Sequence, residues 1–172
     1  MSEFCILYSI HTKINSHQKK SAMNISLRKI DESNWRECIK LKVRDDQMKF
    51  VASNENGLAL AYAHKEMEPR GIYSDEEIVG FLMYAKDPDD GLDYINRLMI
   101  DVKHQGKGFG TEALRILLRQ LRNAGVNSVD ILHKPDNYSA IRIYEKLGFI
   151  LTDEKLGDDV ISTIDLTKTA IL

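Results

Sequence analysis

Between His104 and Leu114 the chain reads HQGKGFGTEAL, with Gly106, Gly108 and Gly110 alternating around Lys107 and Phe109, and Thr111 and Glu112 following. Glycines that open onto a helix leave backbone N–H groups bare. The positive end of the helix dipole adds to them, so such a loop suits a phosphate. Three alternating glycines cost about 0.5–1 kcal/mol each in regular structure, which favours a loop built for anion binding over a plain surface turn. Two common phosphate loops fail on spacing. A Walker loop needs G-x-x-x-x-G-K-[ST], but Lys107 is followed by Gly108 and Asp101 stands where its first glycine belongs. The dinucleotide fingerprint G-x-G-x-x-G needs glycine where this chain has Thr111.

The elements around the loop follow from hydrophobic period. ISLRKI alternates and predicts a strand over 25–30. DESNWRECIKLKV predicts a helix capped by Ser33 or Asn34, and GLALAYAHKEM a weaker one stopped before Pro69. RGIYS and EIVGFLMYA predict a hairpin, KDPDDGLD a loop, and YINRLMIDV a strand running into the glycines. Leu114, Leu117, Leu118 and Leu121 then mark one face of an amphipathic helix, with Gly125 at its C-terminal cap. A strand (VNSVDILH), a helix capped by Asp136 or Asn137 and stopped at Gly148, and a hairpin turning at Gly157 complete the chain. The predicted order is β-α-α-β-β-β-α-β-α-β-β. Alternating helices together with hairpins imply an α/β protein with a mixed sheet.

The 172 residues, 43% hydrophobic and 29% charged, suit one globular domain with a sizeable core. Residues 1–22 read as a poorly ordered N-terminal tail, with Met23 a second candidate start and 23–172 as the domain. A net charge of −2 gives no basis for a nucleic-acid or membrane partner. Cys5 and Cys38 lack metal-ligand spacing, so no metal site is expected, Cys38 reads as a small core residue, and the simple expectation is a reduced, cytoplasmic protein.

Gln105-Gly106-Lys107-Gly108-Phe109-Gly110 resembles the Q/R-x-x-G-x-G/A signature of the GCN5-related N-acetyltransferases, whose loop cradles the coenzyme A pyrophosphate. A second stretch strengthens the resemblance: Asn137-x-x-Ala140-x-x-x-Tyr144-x-x-x-Gly148-Phe149 is similar to the family's next motif, at the usual distance downstream. The resemblance covers residues 24 to about 166. It implies a central mixed, mostly antiparallel sheet splayed between its fourth and fifth strands, flanked by about four helices, with acetyl-CoA as co-substrate in the gap. The implied coenzyme contacts are Leu98, Met99 and Ile100 through their backbone, then Gln105, Gly106, Lys107, Gly108, Phe109, Gly110 and Thr111, with Asn137 and Ala140 on the pantetheine arm. At about 100° per residue Asn137, Ala140 and Tyr144 share one helix face, with Tyr144 deepest.

The implied reaction is attack of a neutral amine on the thioester, with Tyr144 as the acid for the departing thiolate. A thiol pKa near ~8.5 lies below that of a phenol near ~10, and activity is expected to fall at high pH as the phenol ionises. Many relatives place a glutamate on the fourth strand, where this chain has Asn96, which can hold a water but take no proton. That leaves the base open among Asp75, Glu76, Glu77 and Asp93. The GFLMYA strand, the acidic loop and RLMID before QGKG give the chain its likeness to bacterial polyamine acetyltransferases. A small-molecule polyamine acceptor then follows, with Asp75, Glu76, Glu77 and Asp93 around its cations. A peptide amine or amino-sugar antibiotic is the second reading, and a non-catalytic acetyl-CoA sensor the third. Family members are often dimers, so a homodimer is a further expectation.

No coenzyme motif involves residues 1–22. A chain beginning at Met23 is expected to keep its melting temperature and its turnover, measured by thermal unfolding and by thiol release.

Overall fold

The computed structural model describes residues 24–169, so the expected tail at 1–22 lies outside the described residues. One seven-stranded sheet carries the fold. Its strands are β1 (Ile25–Lys29), β2 (Met67–Ser74), β3 (Glu77–Lys86), β4 (Asp93–Ile100), β5 (Ser128–His133), β6 (Ile150–Leu156) and β7 (Asp159–Asp165). The helices are α1 (Trp35–Cys38), α2 (Asn54–Ala63), α3 (Phe109–Asn123) and α4 (Tyr138–Leu147). The expected order of elements is the observed one. In space the strands run β1-β2-β3-β4-β5-β7-β6, antiparallel throughout except for β4 beside β5.

The sheet separates two apolar clusters. Val79, Leu82, Ile95 and Ile131 meet the Leu114, Leu117, Leu118 and Leu121 face of α3, with Tyr144 and Leu147 of α4 beside them. Cys38, Phe81, Met83 and Met99 fill the other side, under α1 and α2. Burial pushes the Cys38 thiol up to about 12, so it stays protonated as a small core side chain. α3 stops in a Schellman turn: Gly125 takes φ +86°, its N–H bonds to Arg122, and the Val126 N–H reaches back to Leu121. α4 is capped by the Asn137 side chain at one end and by Gly148 at φ +96° at the other.

Two helices are shorter than their apolar spacing predicts. α1 ends at Cys38 rather than near Val43, because the Lys42 N–H bonds to the Asp101 carboxylate at 2.9 Å instead of to a helical carbonyl. α2 ends at Ala63, and the chain reaches β2 by Met67, two residues before Pro69. Pro69 is tolerated in that strand because β1 ends opposite Arg70, leaving Pro69 paired to β3 alone.

β4 and β5 pair only through Tyr94 with Asp130 and Ile95 with Ile131. Beyond that point they part. The β3–β4 register slips at the same level: Met83 faces Arg97 and Tyr84 faces Ile95, so Asn96 is an extra residue in a bulge. Farther along β3, Gly80 lets the two strands come close, since a Cβ there would lie 2.5 Å from the Met99 carbonyl oxygen. Gly80→Ala is therefore expected to cost about 1–3 kcal/mol, the usual range for overpacking, and to lower the melting temperature in a thermal unfolding scan.

Candidate active site

A cleft of about 390 Å³ opens where β4 leaves β5. One wall is the end of β4 with the glycine loop and the start of α3; the other is the start of α4. The chain between α1 and α2 roofs it with Val43, Arg44, Gln47, Phe50 and Val51.

The glycine loop meets the requirements of an anion site. Gly106 and Gly108 take φ of +76° and +88°, and Gly108 is the N-cap of α3. The first helical bond comes from the Glu112 N–H to the Gly108 carbonyl, so the N–H groups of Gly108, Phe109, Gly110 and Thr111 have no partner among the described residues. All four residues line the cleft. Free donors at the positive end of a fifteen-residue helix suit the pyrophosphate of a coenzyme.

Two side chains tie this loop to the roof. Gln105 donates to the Ile100 carbonyl at 3.0 Å and to Gln47 Oε1 at 2.8 Å, and it accepts from Arg44 Nη1 at 2.6 Å. Asp101, only 7% exposed, accepts from the Lys42 N–H at 2.9 Å and the Lys103 N–H at 3.0 Å. Arg97, half-buried and with its pKa lowered by that burial, donates to the Ala52 and Ser53 carbonyls and to Asn56, fixing the start of α2.

α4 brings Asn137, Ala140 and Tyr144 to the cleft. The Asn137 oxygen is used as the helix cap, accepting from the Ala140 N–H at 3.3 Å, which leaves its amide group for a ligand. Tyr144 is 6% exposed, and its ring packs between His133 and Phe149 at centroid distances of 5.3 and 5.9 Å. Burial alone, with no hydrogen bond to another group, raises its pKa above the ordinary phenol range. Behind it lies a smaller cavity of about 120 Å³, where His133 Nε2 and Ser162 Oγ are 2.9 Å apart.

Of the expected coenzyme residues, Leu98, Met99, Ile100, Gln105, Gly106, Gly108, Phe109, Gly110, Thr111, Asn137 and Ala140 all line the cleft. Lys107 does not; its ammonium sits 6.0 Å from the centre of the Phe109 ring. Asn96 occupies the bulge and is also absent from the lining. The four expected acids are not brought together. Asp75 and Glu76 form the β2–β3 turn, where Glu76 pairs with Arg28 at 2.8 Å, and Glu77 lies 3.4 Å from His104. Asp93 lies at the other end of the ten-residue β3, about 30 Å away, buried and hydrogen-bonded by Tyr84. None of the four lines the cleft, and neither does any other Asp or Glu among the described residues. The roof residues Arg44, Gln47 and Phe50 escape sequence reading because they belong to no periodic pattern, and Arg44 and Gln47 meet Gln105 only across 61 and 58 positions of chain.

The model of the acetyltransferase (GNAT) family matches residues 27–149. The chain belongs to that family. It is 27% identical over 139 residues to the spermine/spermidine N(1)-acetyltransferase of Bacillus subtilis, covering 77% of this chain and 91% of that one. Its fold is similar to that of the Vibrio cholerae spermidine N-acetyltransferase solved with CoA and spermine, at TM-score 0.68 and 16% identity over 84% of this chain and 96% of that one. A Salmonella typhimurium acetyl transferase that modifies the N-terminal serine of ribosomal protein L7/L12 is similar at TM-score 0.66 and 22% identity, over 84% and 96%. No helix among the described residues of this GNAT protein is long and apolar enough to cross a membrane.

Gly108→Val places a β-branched residue at φ +88° where the backbone faces the cleft. Acetyl-CoA affinity is expected to fall at least tenfold, about 1.4 kcal/mol, in a variant that still folds, as read by titration calorimetry.

Proposed function

We propose that this GNAT protein transfers the acetyl group of acetyl-CoA to a primary amine of a polyamine such as spermine or spermidine, with Tyr144 as the general acid. The observation that carries the chemistry is the place of Tyr144. It sits on the cleft wall, two helical turns beyond the Asn137 cap and one beyond Ala140, without a partner for its hydroxyl among the described residues. The likeness to the Bacillus subtilis enzyme over 91% of its length supports the polyamine acceptor.

Acetyl-CoA supplies the thioester, and the chain's own groups do the rest. The N–H groups of Gly108 to Thr111 hold the pyrophosphate. Past Ile95, β4 has no strand on its open side, so alternate backbone groups among Leu98, Met99 and Ile100 are free to pair with the pantetheine amides and to donate to the carbonyl oxygen as it gains charge. Ala140 leaves room for the arm, and the Asn137 amide donates to it. An alkylammonium near pKa ~10.4 is neutral in about one molecule per thousand at pH 7.4. No Asp or Glu among the described residues lines the cleft to collect its proton, so in this reading the amine enters from that neutral fraction.

The raised pKa of Tyr144 changes the expected pH profile. Its proton stays on through the range where an ordinary phenol ionises, so Tyr144 imposes no loss of activity up to about pH 10. The same apolar cleft deprives the departing thiolate of water and raises its proton affinity as well, which keeps the transfer feasible.

Tyr144→Phe removes one oxygen and keeps the ring. It is expected to lower kcat with spermidine about 10²-fold at nearly unchanged acetyl-CoA affinity, with wild-type kcat/KM rising from pH 7 to 9 in step with the neutral amine. A variant that keeps more than half of wild-type kcat, with chemistry rate-limiting, would show the proton coming from water instead.

A further inference from the structure

One ion pair among the described residues joins the roof of the cleft to its α4 wall. Lys49 Nζ lies 2.6 Å from Asp136 Oδ2, across 87 positions of chain. Lys49 stands between the roof residues Gln47 and Phe50, and Asp136 immediately precedes Asn137, so the pair bridges the roof and the start of α4 at the rim of the cleft, just outside its lining. The same ammonium lies 4.6 Å from the centre of the Phe50 ring. A carboxylate and an aromatic face around one alkylammonium are the groups by which proteins recognise such cations.

The occupant is chemically the same as the end of an alkyl amine. Both side chains are more than half exposed, 63% for Lys49 and 52% for Asp136, so the bridge contributes little to stability and exchanges readily. Lys49 holds Asp136 below the usual carboxylate range, and an ordinary carboxylate with pKa near ~3.9 stays ionised at neutral pH once Lys49 leaves. Among the described residues the cleft lining has no Asp or Glu, and Asp75, Glu76, Glu77 and Asp93 lie elsewhere. Asn137 and Ala140 are taken by the pantetheine arm, so an aminoalkyl chain from Asp136 reaches the Tyr144 end, about 10 Å along α4, on the roof side of the cleft past Phe50.

We propose that Asp136 and Phe50 form the recognition site for the acceptor's second, unreacting ammonium, and that Lys49 fills this site as an internal stand-in until the acceptor displaces it. The inference rests on the acetyl-transfer reading and narrows its acceptor to di- and polyamines. One nitrogen goes toward Tyr144 while another stays at the rim, paired with Asp136. Lys49 then competes with the substrate. Removing Asp136 weakens the acceptor, and removing Lys49 strengthens it. A bridge that only holds the roof in place predicts the same sign for both changes.

The test is the ratio of KM for spermidine to KM for 1-aminobutane, from thiol release at saturating acetyl-CoA. Each variant is first shown to bind acetyl-CoA by calorimetry, which also reports that it is folded. Asp136→Asn is expected to raise the ratio about tenfold, Asp136→Glu to restore most of it, and Lys49→Met to lower it several-fold. A ratio that rises in both Asp136→Asn and Lys49→Met, or moves in neither, overturns the inference. So does a Lys49→Met defect confined to acetyl-CoA affinity, which would assign Lys49 to the coenzyme. Wild-type protein that acetylates 1-aminobutane but not spermidine removes this inference and leaves acetyl transfer standing. Protein that releases thiol with no amine removes both.

Discussion

β4 and β5 run parallel, yet they share only Tyr94 and Ile95 with Asp130 and Ile131 before separating. Buried backbone N–H and C=O groups need partners, so an open seam in the middle of a sheet is costly unless something fills it. Here the seam is the site. The Asn96 bulge turns β4 at the level where the strands part, and β5 is held in place from its other side by a full register with β7. The cleft, the exposed β4 backbone and the position of Tyr144 all follow from that separation.

A gap of this kind has to be held open at a defined width. Asp101 and Gln105 do this from the end of β4 by binding the roof: Asp101 through the Lys42 N–H, Gln105 through Arg44 and Gln47. Gln105 belongs to the glycine-loop signature, so the loop with the free N–H groups also fixes the segment that roofs the cleft. Arg97 anchors the same segment farther along at the start of α2. Because the roof is attached by side chains rather than by a strand or long helix, local opening should be less costly there than in the sheet.

Acidic side chains show how composition and placement separate. SDEE and DPDDGLD suit a polycation by composition, but they lie at opposite ends of β3, with Glu76 paired to Arg28, Glu77 beside His104 and Asp93 bonded by Tyr84. Asp136, beside the α4 cap, instead pairs with the chain's own Lys49, between the roof and the start of α4.

Much of this protein was legible in its sequence. The element order follows from hydrophobic period, and the ends of α3 and α4 from Gly108, Gly125, Asn137 and Gly148, because caps and periods are set by neighbours within a few positions. The two coenzyme motifs are contiguous for the same reason: an anion at a helix N-terminus is bound by adjacent residues. Tertiary structure alone decided where α1 stops, since the Lys42 N–H is taken by Asp101, 59 positions away. It also decided that Pro69 sits in a strand, that burial raises the Tyr144 pKa, that Arg44, Gln47 and Phe50 line the cleft, and that Lys49 meets Asp136 beside it. Each of these depends on a partner more than ten positions away in the chain, and no local pattern of residue types records such a partner.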